Sequence, residues 1–297
     1  MNCSFTSNNS MNKIILTLMT IMGLVYNIRA QVPTEKTLLW QVSGKGITKP
    51  SWLFGTIHLM CSDELKIPRV VEEKFKAANA LFLEIDMDDP TMMKEMLQGM
   101  QMKDSSTLEN LMGNKYDSVS TIFQSTTGMP LKMLNTAKPF LLMSMLYPSL
   151  LKCTPASWES ILQKMAQEKG MEIQGLEKLQ DQMNIFDKIP YKLQSDMFVK
   201  MLLNIDSSKK DFNEMLEVYK KKDINALNIL TTKEEDFGAY NNILLDDRNH
   251  NWIPIIGEQA KKMPTFFAFG AGHMGGEKGV ISLLRKAGFT VSPIYYE

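Results

Sequence analysis

Two of the chain's three histidines stand in the same setting. "WLFGTIHLM" (Trp52 to Met60) and "FFAFGAGHM" (Phe266 to Met274) each run from an apolar, strand-like stretch into a glycine, two small or apolar residues and a histidine. A strand that stops at glycine brings its backbone close to whatever lies beyond the sheet edge. The turn that follows can project a side chain into the crevice at the strand's carboxyl end. Imidazole is a common metal ligand, and a catalytic ion usually takes three protein ligands and keeps one position open. If the two strands are neighbours, His58 and His273 converge on one ion or one substrate. Either histidine alone reads equally well as a hydrogen-bonded core residue; the repetition argues for a shared site.

An ion site also needs a carboxylate. "ALFLEID" places Glu84 at the end of an otherwise apolar strand, where a buried charge costs several kcal/mol unless a metal, an arginine or a proton compensates it. Glu177 in "QGLE" has the same setting, so Glu84 and Glu177 are the acidic candidates. A salt-bridged strand end for Glu84 and a helix-N-terminal acid for Glu177 are the competing readings. Glu277 follows His273 by four residues, but Gly275 and Gly276 favour a loop over a shared helix face, which leaves it the weaker candidate. In "LLDDRNHNW", Arg248 is a fixed cation suited to a carboxylate or an oxyanion, and Asn249 could fix its orientation. His250, in that polar stretch, reads as surface.

The elements that must hold these groups cluster at the two ends of the chain. Strand-like runs occur at Leu38 to Val42, Ser51 to Thr56, Ala80 to Asp86, Thr265 to Gly270 and Val291 to Tyr296. Between about Pro90 and Lys262 the spacing is helical, with one short strand candidate at Met171 to Glu177. Helical patterns follow each histidine motif and lead into another strand, so each half reads as strand, GxxH, helix, strand. These features predict an α/β fold: one central sheet built from both chain ends, with pseudo-symmetric GxxH halves, packed helices and a helical middle. Many of the 24 methionines fall in that middle, where they read as core filler rather than as a cofactor groove.

Composition narrows the partners. Lysine plus arginine equals aspartate plus glutamate at 33 each, which leaves no field of one sign to attract nucleic acid or an anionic membrane. Near the N-terminus a lysine, an apolar run from Ile14 to Tyr26 and a small residue at Ala30 read as a cleaved signal peptide, residues 1–30. The run is shorter than the roughly 18 to 20 residues that span a bilayer. Either Met1 or Met11 could be the start. The expected mature domain, residues 31–297, is exported to a periplasm or the exterior and has no transmembrane segment. It keeps two cysteines, Cys61 and Cys153, which read either as a disulfide or as two free buried thiols.

Taken with "LLWQVSG", "PSWLFGTIHLM", "SWESIL", "IQGLE", "LQDQ", "LLDDRNHNW" and "FFAFGAGHMGGEKGVISLLRKAGFTVSPI", the sequence resembles the TraB/GumN family. That family is related to the Tiki metalloproteases and more distantly to erythromycin esterase and ChaN-like proteins. The resemblance implies two GxxH motifs meeting in one cleft. It also implies a hydrolase, most often a peptidase, dependent on a divalent ion such as Mn²⁺, Co²⁺ or Zn²⁺. The implied site is His58, His273 and Glu84 as metal ligands, with Glu177, Arg248, Asn249 and Glu277 nearby. The expected substrate is a peptide or a small molecule. Many relatives carry an aspartate in a "GID" stretch where this chain has "SWE", so Glu159 stands in that place; Lys178 replaces a frequent threonine. The same resemblance keeps two alternatives: a periplasmic binder of haem or metal without turnover, and an esterase-like hydrolase with a histidine base and no metal.

Overall fold

Among the residues that the computed structural model describes, 32–232 and 238–297 together with Met1, eight strands form. The expected signal segment lies outside the described residues apart from Met1. The strands are β1 (Leu39–Ser43), β2 (Ser51–Thr56), β3 (Met60–Cys61), β4 (Ala80–Leu83), β5 (Pro155–Ala156), β6 (Glu172–Gly175), β7 (Thr265–Gly270) and β8 (Thr290–Ile294). Six of them make one mixed sheet in the order β6-β4-β7-β2-β1-β8, and β3 pairs with β5 in a separate ribbon. The sheet is thus assembled from both ends of the chain, with β6 added from the middle. Parallel pairing joins β6 to β4, β4 to β7 and β7 to β2, whereas β1 runs antiparallel to β2 and β8.

The three innermost parallel strands are covered on both faces, which explains their unbroken apolar sequences. Every residue of β2 and β4 is buried, as are the first five of β7. Aromatic rings carry the packing: Phe54 meets Trp158 edge-on with centroids 5.2 Å apart, and Phe75 meets Phe266 at 5.3 Å. Each such buried side chain contributes about 1.5–3 kcal/mol relative to exposure. Helix Arg69–Ala77, which follows the first histidine motif, buries Val71 and Phe75 on one face, four residues apart. Helix Val280–Lys286 follows the second motif and is buried along most of its length. The helical middle builds its own core around Leu108, Val119, Phe123, Leu142 and Phe198, and Met112, Met143 and Met197 fill positions within it.

Of the two cysteine readings the bonded one holds: Cys61 and Cys153 form a disulfide, with Cα atoms 5.6 Å apart. The bond reinforces the β3–β5 ribbon, in which Met60 faces Ala156 and Cys61 faces Pro155. Among the described residues no helix is long and apolar enough to cross a membrane.

The parallel register brings β2, β4, β6 and β7 to a common carboxyl edge. Thr56 pairs with Gly270, Leu83 with Gly175, and the β4–β6 pairing continues one step further, with Glu177 N donating to Glu84 O at 3.0 Å. Each candidate strand therefore ends one to three residues before a chemically capable side chain. Gly55 is where the two motifs interlock: a Cβ there would lie 2.5 Å from Met274 Sδ and 3.0 Å from Ala271 Cβ.

Candidate active site

The residues at that edge form one connected polar group around Arg248. Its Nη2 donates to Glu84 Oε2 at 2.6 Å and to Glu177 Oε1 at 2.5 Å, and its Nε donates to both oxygens of Glu177. Glu84 is 7% exposed, so the compensating charge that its burial demands is an arginine. Gly270 N donates to Glu84 Oε1 at 2.8 Å, and Gln182 reaches both Glu84 and Glu177. Gln182 lies on helix Leu179–Asp187, which begins two residues after Glu177. Gln182 closes the "LQDQ" stretch that carried part of the family resemblance, but the sequence reading gave it no role, because one polar residue on an amphipathic helix carries no local mark of its partners.

Arg248 and Asn249 open helix Asp247–Lys262, directly after a π-helical turn at Asn242–Asp246. Such wide turns are frequent at functional sites. Here the turn supplies the Leu244 carbonyl, which accepts from Arg248 Nη1 at 3.1 Å. Asn249 does not orient Arg248, as its neighbouring position suggested; it is fully buried and serves His273. Its Nδ2 donates to Lys278 O, which leaves Oδ1 to accept from His273 Nδ1–H at 2.6 Å. His273 Nε2 is then an acceptor, and Arg248 Nη1 donates to it at 3.2 Å. Burial, followed by the Arg248 charge, holds the His273 pKa down at about 3, so the ring is neutral.

His58 occupies a different environment. Its side chain is 69% exposed. Desolvation there works against a charge, but the hydrogen bond and charge of Glu159, with the charge of Glu84, carry its pKa up to about 9. Nδ1 lies 3.0 Å from Glu159 Oε1, and Nε2 faces Glu84 Oε1 at 4.0 Å, beyond direct hydrogen bonding. Glu84 itself is pushed up by burial but held well below the usual carboxylate range by Arg248. Burial, assisted by the Glu84 charge, instead raises Glu177.

The two histidine motifs do meet. A Cβ placed on Gly270 would lie 3.2 Å from Glu84 Oε1, 3.7 Å from His273 Cδ2 and 3.8 Å from His58 Nε2. The missing side chain therefore leaves a small cradle bordered by all three candidate ligands. The donor types, two imidazoles and a carboxylate, suit a divalent ion, and two of them, His58 Nε2 and Glu84 Oε1, face the cradle. The third is engaged by Arg248. In this arrangement no group of three or more His, Cys, Asp or Glu side chains is drawn together as an ion cage among the described residues.

Glu277 is not gathered in. It is exposed on the turn between Gly276, at φ 79°, and the next helix, and its backbone carbonyl accepts from Lys286 Nζ at 3.0 Å. His250 is exposed, with Nδ1 2.8 Å from Asp246 O. Helix Ile224–Thr232 pins the second motif through Asn228 Nδ2, which donates to Gly272 O at 2.9 Å, a contact the sequence did not signal.

Comparison with curated proteins and with solved structures finds no match. A family model does match, over residues 38–293, and its span takes in both histidine motifs, both glutamates and Arg248. The chain belongs to the TraB/PrgY/gumN family.

Proposed function

We propose that this protein is a hydrolase of the cell envelope that cleaves peptide bonds, with a divalent ion (Mn²⁺, Co²⁺ or Zn²⁺) as its cofactor. The observation that carries this reading is the convergence of His58 Nε2, Glu84 Oε1 and the His273 ring on the cradle beside Gly270. His58, His273 and Glu84 would hold the ion. Bound there, it would lower the pKa of a water and polarise a carbonyl. The disulfide is compatible with an oxidising, extracytoplasmic setting.

The chain's own groups have separable tasks. Arg248 keeps Glu84 ionised and, with its N–H groups engaged by Glu84, Glu177, His273 and the Leu244 carbonyl, would favour a developing oxyanion through its charge rather than through a free donor. Glu84 and Glu177 share that arginine, yet their environments push their pKa values in opposite directions. Such a split suits separate roles: Glu84 would stay ionised, and Glu177, whose pKa burial raises, would accept and return the proton. Asn249 keeps His273 in one tautomer with Nε2 as its acceptor.

A second reading, hydrolysis without a metal, is favoured by one contact: Arg248 already donates to His273 Nε2. Metal analysis of purified protein, then titration with Mn²⁺, Co²⁺, Zn²⁺ and haem, with hydrolysis of a peptide library followed in parallel, separates the readings. Saturable uptake of one ion that His58→Ala abolishes together with hydrolysis supports the proposal. Hydrolysis that survives chelation and is lost in His58→Ala without a change in ion uptake supports the metal-free route. A haem band with no turnover of any peptide overturns both.

A further inference from the structure

We infer that Glu159 is a positioning residue for His58: clamped by Thr56, its carboxylate turns Nδ1 away from the cleft and leaves Nε2 directed at Glu84 and the Gly270 cradle. This rests on the reading of His58 as a working group of the proposed hydrolase. One oxygen does all the bonding. Glu159 Oε1 accepts from Thr56 Oγ1 at 2.7 Å and meets His58 Nδ1 at 3.0 Å.

Both ends of this contact are fixed. Thr56 is the last residue of β2 and is fully buried. Glu159 is the second residue of helix Trp158–Lys169, whose Ser157 cap accepts from Ser160 N at 3.1 Å and whose Trp158 packs against Phe54. The β3–β5 ribbon fastens the segment after His58 to the segment before Glu159, through Ser62 N donating to Thr154 O at 2.9 Å and through the disulfide. The His58 ring, by contrast, is mostly exposed, so side-chain packing does little to hold it. Its orientation depends on the carboxylate.

Stability alone does not account for Glu159. Its Oε2 is buried and has no hydrogen-bond partner among the described residues, a state that costs free energy. A first-turn acid serving only the helix dipole would gain as much by pointing into solvent and would need no bond from Thr56. A carboxylate that holds the far nitrogen of an imidazole fixes its tautomer and orientation, whether the near nitrogen meets an ion or a proton.

The test reads the His58 ring itself. Long-range ¹⁵N–¹H spectra, recorded at a pH where the ring is neutral, should show the Nδ1–H form in the wild type. Glu159→Leu should shift it toward the Nε2–H form, and Glu159→Asp should restore part of the Nδ1–H population. In parallel, kcat on a quenched-fluorescent peptide library with Mn²⁺ should fall about 10–100-fold in Glu159→Leu, with KM little changed and the melting temperature equal or higher. An Nε2–H wild type, or the same tautomer in wild type and Glu159→Leu, overturns the inference even if hydrolysis is found. A tautomer shift in a protein that hydrolyses nothing upholds the positioning and removes the hydrolase reading instead. If Glu159→Leu fails to fold, Thr56→Val decides: a mixed tautomer upholds the clamp, and a pure Nδ1–H form overturns it.

Discussion

Arg248 stands between His273 and Glu84, with Nη1 3.2 Å from His273 Nε2 and Nη2 2.6 Å from Glu84 Oε2. A single guanidinium therefore both neutralises a buried carboxylate and occupies the lone pair that an ion would need. The planar fork makes this possible: Nε and Nη2 serve Glu177 while Nη1 remains for the imidazole.

Removing that fork should be costly. In Arg248→Ala, Glu84 and Glu177 face each other across the edge with no cation between them. Breaking a buried pair by deleting one partner typically costs about 3–5 kcal/mol. Denaturant unfolding should show a loss of that order. Arg248→Lys should recover part of it, because an ammonium keeps the charge but cannot serve three partners with fixed geometry. Equal stability of Arg248→Ala and wild type would mean that Glu84 is neutral in the folded protein.

The two motif glycines should fail in opposite ways. At Gly55 a Cβ would sit 2.5 Å from Met274 Sδ and 3.2 Å from Ala271 Cα, so Gly55→Ala must push the second motif away from β2. Overpacking of this kind costs about 1–3 kcal/mol, and the melting temperature should fall. At Gly270 the backbone has φ −49°, which alanine adopts without strain, and the nearest atom to a Cβ is Glu84 Oε1 at 3.2 Å. Gly270→Ala should cost less stability than Gly55→Ala, since only Glu84 Oε1 must yield, while filling the cradle, and Mn²⁺ uptake and hydrolysis should both drop. Unchanged Mn²⁺ uptake in Gly270→Ala would move the ion elsewhere.

The strand pair that carries the motifs was legible because both faces are buried. Continuous apolar runs bounded by polar residues or glycine gave β2 and β7 the bounds found in the structure, 51–56 and 265–270. Glu84 was legible for the same reason, since a carboxylate ending an apolar strand demands a partner. Which partner was not, because Arg248 lies 164 residues away and only the sheet order brings it near. Thr56 was hidden as one more strand residue, and its bond to Glu159 spans 103 residues. The glycines that made Glu277 the weaker candidate were legible too: Gly276, at φ 79°, turns the chain before the helix begins and leaves Glu277 exposed.

Stability should fall more steeply toward acid than toward alkali. His273 has an ordinary pKa of 6.5 but is held at about 3 in the folded protein, by burial first and then by Arg248. The unfolded chain thus takes up a proton that the folded one refuses, and stability drops as pH falls from about 6.5 to 3. Glu84 adds to this limb: burial raises it but Arg248 depresses it further, so its stabilisation is complete above pH 4.5 and lost as pH falls below. Glu177, pushed up by burial, works against that limb. His58, raised to about 9 by Glu159 against desolvation, gives stability that is complete below 6.5 and lost as pH rises through 9. Its 69% exposure makes that the smaller contribution. Denaturant midpoints from pH 4 to 9 should show the asymmetry, and His273→Gln should flatten the acid side.

Reduction should disable the site before it unfolds the chain. The Cys61–Cys153 bond closes a loop of 92 residues, and losing it from a folded domain costs about 2–5 kcal/mol. The sheet and the helical core are held by buried aromatic and aliphatic groups that the bond does not touch, so most of the fold should persist near room temperature. The β3–β5 ribbon has only two residue pairs, Met60 with Ala156 and Cys61 with Pro155, and without the bond it becomes the weakest link between the His58 loop and the Glu159 segment. The double variant Cys61→Ser, Cys153→Ser should therefore show faster amide exchange at Ser62 and a larger fractional loss of hydrolysis than of helical circular dichroism at 25 °C. Parallel loss of both signals would mean that the disulfide supports the whole fold rather than this corner of it.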